Sequence, residues 1–563
     1  MKPLSSALRC GVPAVACFVL GGVQGASAQT APQAAPATAP ASVAPAAPAA
    51  PAATPTFAVW EYVVEGNTVL PTAAIEKAVT PFLGEGKTIT QVEAARAALE
   101  KTYQDAGYLT VFVDLPEQEV SDGVITLKVM EGRVERLAVT GAKYFSQGYI
   151  RARVPELAEG KVPNFNVVQA QLAEVNRTED RRVQPVLRPG HEPGAAEVEL
   201  KVTDQLPVHG TVELNNNHAQ YNKPWRAVGT LRYDNLFQRD HSMQLLAMVN
   251  PQDPKESKAL GFSYNIPEPG GDAWAFSAVW SDSNLQTISS VAVLGKGEVI
   301  GLKRQWALPT SGGVNHQLTF GPDFKNMKER VVVGSDQVAT PLRYMPFTLG
   351  YAGSWLHEGG GLSLWQHNLV FGVSSLFKRQ VDCGYGLQDQ FGCKRDGADG
   401  GFAYLRLDAR HTEPIQGWSL NARVAGQMAT QALVGAEQYA LGGTDNIRGY
   451  LSAEVIGDQG LMGSLQLNAP NLARRADAAS SNTTTGPLQE LTPYVFIDGG
   501  MVRVINPSSG QRGSQSLGAL GGGLKLKAYQ RFNLSTDLAW ALRAATVTQA
   551  HSWRAHLRLS ADF

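Results

Sequence analysis

The sequence predicts a transmembrane antiparallel β-barrel of about 16 strands, preceded by two small α+β domains. Three features predict this fold: short segments after residue 206 that alternate apolar and polar residues, charged residues on one parity of those segments, and an upstream internal repeat. In the last segment, Trp553, Leu559 and Phe563 share one face of the strand. Arg558 and Asp562 lie on the opposite face. Hydrocarbon outside a barrel and water inside it explain both faces.

Residues 1–28 have the pattern of a secretory signal peptide. Lys2 and Arg9 supply the positive start, a short apolar stretch follows, and Ala26-Ser27-Ala28 is a small-residue cleavage site. Cys17 leaves open a lipoprotein site, although the apolar stretch before it would be very short. We therefore expect the mature chain to be exported.

The segment from residue 29 to residue 56 consists almost entirely of Ala and Pro, with some Thr and Ser. Such a composition cannot bury a core and is typical of a semi-rigid, partly polyproline spacer. The sequence therefore predicts a linker over residues 29–56.

An internal repeat of about 75 residues lies between the linker and the predicted barrel. Residues 63–70 align with residues 138–145, and residues 125–129 align with residues 198–202. Between the aligned segments each copy carries apolar residues at helical spacing, namely Val92, Ala95, Leu99, Tyr103 and Ala106 in the first copy and Val168, Leu172 and Val175 in the second.

Each copy is predicted to fold in the order strand, helix, helix, strand, strand, which gives α+β domains over residues 57–132 and 133–205. Two helices on one face of a small sheet bury a modest core and leave a sheet edge open. Residues 206–563 then form the barrel. At about 20 to 25 residues for each strand and its connection, this length gives about 14 to 18 strands, and we expect the even number 16.

Composition and motifs exclude several classes of function. The net charge of -1 and the pI near 6.8 provide no basic field for nucleic acid. Beyond the signal, no apolar run approaches the ~20 residues of a membrane helix, so a membrane span has to be a closed barrel. The sequence has no Gly-x-Ser-x-Gly, Gly-x-x-x-x-Gly-Lys or His-Glu-x-x-His motif, so we expect neither an enzyme nor a cofactor. His551 and His556 have opposite strand parity and are poor partners for one metal ion.

The only cysteines beyond the signal are Cys383 and Cys393, which lie in a loop-like stretch. In an oxidising compartment such a pair favours a small loop-closing disulfide over a metal site, which would need further ligands nearby. The sequence therefore predicts a disulfide between Cys383 and Cys393.

Two polar clusters place a charge among small residues. Glycines surround Arg448 in the segment Leu441–Tyr450, and Asp498 lies on a predicted strand with Phe496 and Gly500 at the same parity. An Arg side chain binds a carboxylate in a bidentate manner, so Arg448 on Asp498 could hold a long loop against the barrel wall. Taken alone, each cluster is more typical of an ordinary extracellular turn or hairpin.

At these residues the chain resembles the two-partner secretion transporters of the TpsB type, which share a POTRA-plus-barrel superfamily with the barrel assembly proteins. Ile447-Arg448-Gly449-Tyr450 is similar to the family's Val-Arg-Gly-Tyr/Phe motif at the tip of the sixth extracellular loop. Phe496-Ile497-Asp498-Gly499-Gly500 is similar to its Phe-x-Asp-x-Gly strand motif. Residues 176–190 are similar to the family's second POTRA domain, and the two-copy repeat is what two POTRA domains would look like.

The resemblance implies a pore in the bacterial outer membrane, with the POTRA domains in the periplasm, that secretes a partner polypeptide to the cell surface by the two-partner (type V) route. The implied client is an adhesin, a haemolysin or a haem-scavenging exoprotein, bound in extended form at the POTRA edges. Other implied partners are outer-membrane lipid, periplasmic chaperones and the barrel assembly machinery, for which Phe563 is the implied terminal signal. Nucleic acid is not an expected partner.

Two alternatives remain open from the sequence. An outer-membrane protein assembly factor of the same superfamily would share the barrel and the loop motif, but such proteins often carry more than two periplasmic repeats. A porin or nutrient receptor would lack the repeats and the Arg-Gly-Tyr loop. The chain also departs from related transporters that begin with an amphipathic plug helix, because residues 29–56 lack charge and helical amphipathicity.

Overall fold

The computed structural model describes residues 56–119, 122–191, 194–220, 222–283, 296–328, 330–333, 336–339, 341–383, 386–473 and 487–563. The predicted signal peptide (1–28) and all but the last residue of the predicted linker (29–56) lie outside these residues. The described chain divides into two compact units, of which the first ends at Pro207 and the second begins at Val208. Within the described ranges, no helix has both the length and the apolar character needed to span a membrane.

The first unit contains two copies of one α+β arrangement, and strands and helices are numbered along the whole chain. The first copy consists of β1 (Phe57–Val59), β2 (Glu61–Glu65), α1 (Thr72–Val79), a 3-10 turn (Thr80–Phe82), β3 (Gly84–Lys87), α2 (Ile89–Asp105), β4 (Val111–Asp114) and β5 (Val124–Glu131). The second consists of β6 (Val134–Thr140), α3 (Gln147–Arg153), a 3-10 turn (Pro155–Leu157), α4 (Phe165–Val175), β7 (Arg181–Pro189) and β8 (Ala196–Asp204).

The two sheets have the same topology. β5 lies parallel to β2 and antiparallel to β4, and β8 lies in the same way between β6 and β7. The repeat extends to single backbone positions, because Gly66 and Gly141 both have positive φ and an added Cβ on either would stand 2.3 Å from a carbonyl oxygen, that of Val129 or Val202. The first copy also contains a β1–β3 ladder that the sequence did not predict, since Gly84–Lys87 is too short and glycine-rich to show alternation.

The predicted helical stripes form the cores of both copies. α2 begins at a capping box formed by Thr88 and Gln91, and its buried residues are Val92, Ala95, Leu99 and Tyr103. α4 buries Val168 and Val175, with Leu172 packed against the same core. The Tyr103 hydroxyl donates to Asn67 Oδ1 at 2.7 Å, and burial together with the negative charge of Glu131 raises the pKa of Tyr103 to about 12.

The second unit is a closed antiparallel barrel. Its strand segments are β9 (Val208–Asn215), β10 (Arg226–Leu236), β11 (His241–Val249), β12 (Ser257–Pro267), β13 (Ala273–Ser283), β14 (Gly297–Ser311), β15 (Val314–Met327), β18 (Leu342–Tyr344), β19 (Phe347–Leu356), β20 (Leu362–Phe371), β23 (Ala403–Ile415), β24 (Trp418–Ala429), β27 (Gln459–Asn468), β28 (Leu488–Arg503), β29 (Ser514–Ala528), β30 (Phe532–Ala541) and β31 (Trp553–Asp562). The connections contain α5 (Gln390–Lys394), 3-10 turns at Pro269–Gly271 and Gly435–Glu437, and the hairpin pairs β16 (Arg330–Val333) with β17 (Asp336–Ala339), β21 (Gln380–Asp382) with β22 (Leu387–Asp389), and β25 (Tyr439–Leu441) with β26 (Val455–Gly457).

The barrel has 16 strands, as predicted. Of the 17 segments in its ladder, β18 and β19 both pair with β15 and are therefore one strand, interrupted at Met345-Pro346, where proline cannot donate to the ladder. β31 closes the barrel on β9 by pairing Arg558–Asp562 with Thr211–Asn215. Apolar and polar residues alternate as expected: on β31, Trp553 and Leu559 are exposed on the outside, whereas His556 on the inside is buried.

The barrel end that holds Val208 and Phe563 is called the proximal end, and the opposite end is called the distal end. The distal connections include loop 5 (372–402), loop 6 (430–458), loop 7 (504–513) and loop 8 (542–552). Cys383 and Cys393 form a disulfide in loop 5, with a Cα–Cα distance of 5.7 Å.

Candidate functional site: loop 6 inside the barrel

Loop 6 folds back into the barrel lumen. Its β25–β26 ladder brackets a tip that carries the predicted motif Ile447–Tyr450. The tip meets β28 at Asp498, which pairs with Ser464 on β27, whereas loop 6 ends beside Gln459. At about 3.3 Å per residue, the tip therefore reaches about 16 Å down the inner wall.

Arg448 and Asp498 form the contact that the sequence predicted. Arg448 Nε lies 2.8 Å from Asp498 Oδ2, and Arg448 Nη2 lies 2.9 Å from Asp498 Oδ1, which is a bidentate geometry. The backbone N–H of Arg448 also donates to Asp498 Oδ2 at 3.1 Å. Only 8% of Arg448 and 1% of Asp498 is exposed, so each buried charge needs the other to compensate for its loss of hydration.

Four wall residues complete the surroundings of the guanidinium. Arg448 Nη1 donates to Gln466 Oε1 at 2.8 Å and lies 3.4 Å from Asp537 Oδ1. Ser464 Oγ donates to Asp498 Oδ1 at 2.7 Å, and the Phe496 ring stacks on the guanidinium at 3.4 Å from centroid to Cζ. The motif residue Phe496 therefore contacts the same side chain as Asp498 does.

The remaining motif residues fix the tip to the wall. Gly449 has φ +89°, and its N–H donates to His556 Nε2 at 2.9 Å. Tyr450 is fully buried, and its hydroxyl lies 2.8 Å from the carbonyl oxygens of both Gly518 and Arg543. The tip is thus bonded to β29, loop 8 and β31 as well as to β28.

The motif glycine on the strand, Gly500, makes room for the loop. A Cβ at this position would stand 2.8 Å from Ile447 Cδ1 and 2.9 Å from Leu441 Cδ1. Ile447 and Leu441 are both fully buried in a cluster with other residues of the loop and wall. Gly500 therefore allows the apolar part of the loop to pack directly on the backbone of β28.

Comparison with known proteins places this site in a family. Residues 57–132 match the family described as POTRA domain, ShlB-type, and residues 364–527, which include both motifs, match the family described as Haemolysin secretion/activation protein ShlB/FhaC/HecB. The outer membrane transporter CdiB of Escherichia coli is 25% identical over 420 residues, which are 72% of this chain and 68% of that protein. The chain belongs to the TpsB family of two-partner secretion transporters. CdiB of Dickeya dadantii (strain 3937) is 22% identical over 429 residues, 74% of this chain and 72% of that protein.

Solved structures show the same fold as this TpsB transporter. CdiB from Escherichia coli has a TM-score of 0.64 at 20% identity, and the alignment covers 91% of this chain and 92% of that one. CdiB from Acinetobacter baumannii has a TM-score of 0.57 at 14% identity, with coverage of 91% and 90%. BamA from Haemophilus ducreyi lacking POTRA domains 1-3 has a TM-score of 0.52 at 14% identity, covering 90% and 100%, and this likeness concerns the fold alone.

The resemblance seen in the sequence is therefore confirmed. The chain is an outer-membrane transporter of two-partner secretion and not an enzyme, and its POTRA domains are periplasmic. Since Val208 follows the periplasmic domains directly in the chain, the proximal end of the barrel faces the periplasm and the distal end faces the cell exterior. The family also implies a secreted partner exoprotein.

The sequence missed several residues of the loop 6 site in this TpsB transporter. His556 is not a solvated or uninvolved lumenal histidine, because it is 4% exposed and accepts the hydrogen bond from Gly449. The argument that His551 and His556 face opposite sides of one strand does not apply, because His551 precedes β31 and has φ +65°. Gln466 and Asp537 are single polar residues on inward-facing positions, and no local pattern distinguishes them from other lumenal residues.

Proposed function

We propose that this transporter takes up an unfolded exoprotein in the periplasm as an added strand on β2 of the first POTRA domain, passes it through the barrel and releases it at the distal end. The observation that carries this proposal is the state of the four outer edges of the two three-stranded sheets in the periplasmic unit. Exposed edges accept an extended chain through main-chain hydrogen bonds, whereas edges capped by side chains or interrupted by proline do not.

Two of these edges are capped by side chains of the same domain. On β4, the N–H of Val113 donates to Glu100 at 3.4 Å and its carbonyl accepts from Arg96 at 3.1 Å. On β6, the N–H of Leu137 donates to Glu159 at 3.2 Å and its carbonyl accepts from Arg151. In both cases one residue has both of its outward backbone groups occupied.

The third edge, β7, is blunted in a different way. The Asn176 side chain bonds to both the N–H and the carbonyl of Val183, at 2.6 and 2.9 Å. Further along the same outward row, Pro185 and Pro189 have no N–H to offer. An added strand would therefore find only isolated backbone hydrogen-bond partners on β7.

β2 differs from the other three edges. Among the described residues, no side chain is bonded to the backbone of Glu61–Glu65. The N–H of Glu61 donates to the carbonyl of Gly123, toward β5, so by alternation Tyr62 and Val64 direct their backbone groups to the open side. β2 is thus the edge at which a client strand is best accommodated.

Beyond the edge, the charged inner wall suits a chain that remains hydrated during passage. We infer that Arg448 and Asp498 hold loop 6 in its working position and that folding of the client outside the cell prevents its return. The family description favours a haemolysin or related exoprotein as client. Phe563 as a signal to the assembly machinery remains a proposal that rests on the family resemblance.

The test compares two exposed acidic residues that flank Lys128 from opposite edges. Glu65 on β2 and Asp114 on β4 are both register partners of Lys128. A photo-cross-linking amino acid would replace either residue in cells that also express an exoprotein whose secretion depends on this transporter. We expect an adduct with the exoprotein from position 65 and none from position 114. Equal adducts from both positions, or an adduct from position 114 alone, would contradict the choice of β2.

A further inference from the structure

A second buried ion pair lies at the distal end of the barrel, away from the loop 6 tip. Asp458 is fully buried where loop 6 ends and β27 begins. Its carboxylate accepts hydrogen bonds from the backbone N–H of Leu433 at 2.9 Å, from the backbone N–H of Ile505 at 2.6 Å and from Gln438 Nε2 at 3.1 Å. Both carboxylate oxygens also accept from the guanidinium of Arg395.

Arg395 also donates to carbonyl oxygens on the same segments. Nη1 donates to the carbonyl of Leu433 at 2.6 Å, and Nη2 donates to the carbonyl of Ile505 at 2.7 Å. One guanidinium and one carboxylate therefore connect loop 5, both ends of loop 6 and loop 7. Arg395 follows directly after α5, which contains Cys393, so the disulfide with Cys383 limits the movement of the segment that carries it.

A second carboxylate attaches the start of loop 6 to the opposite part of the wall. Glu437 is 1% exposed and binds Lys325 on β15, Tyr344 on β18 and Tyr404 on β23. Around it lies a cluster of buried apolar residues from the distal strands and loops 5 and 6, which are Val299, Met327, Leu342, Tyr344, Val370, Phe391, Ala398, Phe402, Tyr404, Ala429, Leu433, Val434 and Ala436. Loops 5 and 6 are thus packed together against the distal ends of these strands.

We propose that Arg395 and Asp458 form an extracellular gate, which keeps the distal mouth closed between transport events and has to separate before a client leaves. The gate is distinct from the Arg448–Asp498 contact, because the tip of loop 6 bonds to β28, β29 and β31 and involves neither Arg395 nor Asp458. A single pair that connects three loops is suited to this task, since its separation releases all of them together. The inference rests on the transport function but not on the choice of β2 as client edge.

The gate is tested by single-channel recording of the purified full-length transporter in planar bilayers, with no client present. Arg395→Gln and Asp458→Asn each remove one charge of the pair with little change in size. We expect either variant to raise the open probability at least about tenfold over the wild type, because tenfold corresponds to about 1.4 kcal/mol, the range of one hydrogen bond to a charged group. Lys328→Gln is the matched control, since Lys328 forms an exposed ion pair with Glu298 near the same end.

Heat-modifiable migration on gels shows whether each variant is a folded barrel. Arg395→Lys keeps the charge but loses the bidentate geometry, and we expect an intermediate open probability from it. The proposal is overturned if folded Arg395→Gln and Asp458→Asn channels behave like wild type and Lys328→Gln. Because no client takes part, this result is independent of the cross-linking test at β2.

Discussion

Replacing Arg448 with Ala removes the buried ion pair that holds the tip of loop 6 on the barrel wall. The substitution deletes two side-chain bonds to Asp498, the bond to Gln466 and the stack on Phe496, so the Asp498 carboxylate, 1% exposed in the wild type, loses its charged partner. Removing one partner of a buried ion pair costs about 3–5 kcal/mol, because the other charge is left without compensation. Ser464 continues to donate to Asp498, which places the expected cost near the lower limit.

About 3 kcal/mol corresponds to a change of roughly 100-fold in the ratio of docked to undocked loop. We therefore expect Arg448→Ala to leave a folded barrel in the outer membrane and to reduce export sharply. The assay is the amount of exoprotein in the medium, divided by the amount of heat-modifiable transporter in the outer membrane. Export at the wild-type level would refute the assignment of Arg448 and Asp498.

The double variant Arg448→Ala with Asp498→Ala separates a direct pair from two independent residues. If the pair acts as a unit, the double variant loses far less than the sum of the single losses, because the stranded carboxylate is also gone. The exchanged pair, Arg448→Asp with Asp498→Arg, should restore export only in part, since a carboxylate at position 448 would face Asp537. Adding Asp537→Asn to the exchanged pair should improve the rescue.

Three further predictions concern the tip, the gate and the disulfide. Gly449→Ala should weaken loop docking by about 1–3 kcal/mol, because φ is +89° and the new Cβ would stand 3.2 Å from that of Ala539. This variant should still form a folded barrel but export less exoprotein, which secretion assays check. Burial disfavours the Asp458 carboxylate, but Arg395 and the backbone N–H groups hold the pKa of Asp458 below its usual range. The stability that this carboxylate adds is therefore present above about pH 4 and lost as the pH falls through the lowered pKa, so channel recordings should be constant from pH 8 to about 5 and show opening below about pH 4. Cys393→Ser should make loop 5 more sensitive to added protease while heat-modifiable migration stays unchanged, since the disulfide closes a short local loop.

Much of the fold follows from periodicity. Alternation with a period of two residues sets which side of each strand meets lipid, and the spacing of turns gives the number of strands. The contact between Arg448 and Asp498 was predictable because two motifs occur in a fixed order, although their local sequences are more typical of ordinary turns. The additional β1–β3 ladder escaped prediction because a short glycine-rich strand has no periodicity to detect.

The residues that surround the tip and close the mouth could not be predicted from the sequence. His556, Arg395 and Asp458 belong to no recognisable motif, and their partners lie between 20 and 110 residues away in the chain. Such contacts depend on how far a loop folds back into a barrel, which no local pattern encodes. Once Arg448 and Asp498 are placed, the inward parity of His556 becomes informative, because few inner-wall groups lie within reach of the tip.

The tip of the docked loop is bonded to one side of the barrel, on β28, β29 and β31. Its anchor, Asp498, lies on β28, the thirteenth strand, so the fifth strand, β13, is diametrically opposite. There the inner face of β12 and β13 presents small side chains, such as those of Gly261, Ser263, Ala275 and Ser277. A polypeptide in transit beside the docked loop would follow an eccentric track along this smooth strip of wall, where few long side chains could retain it.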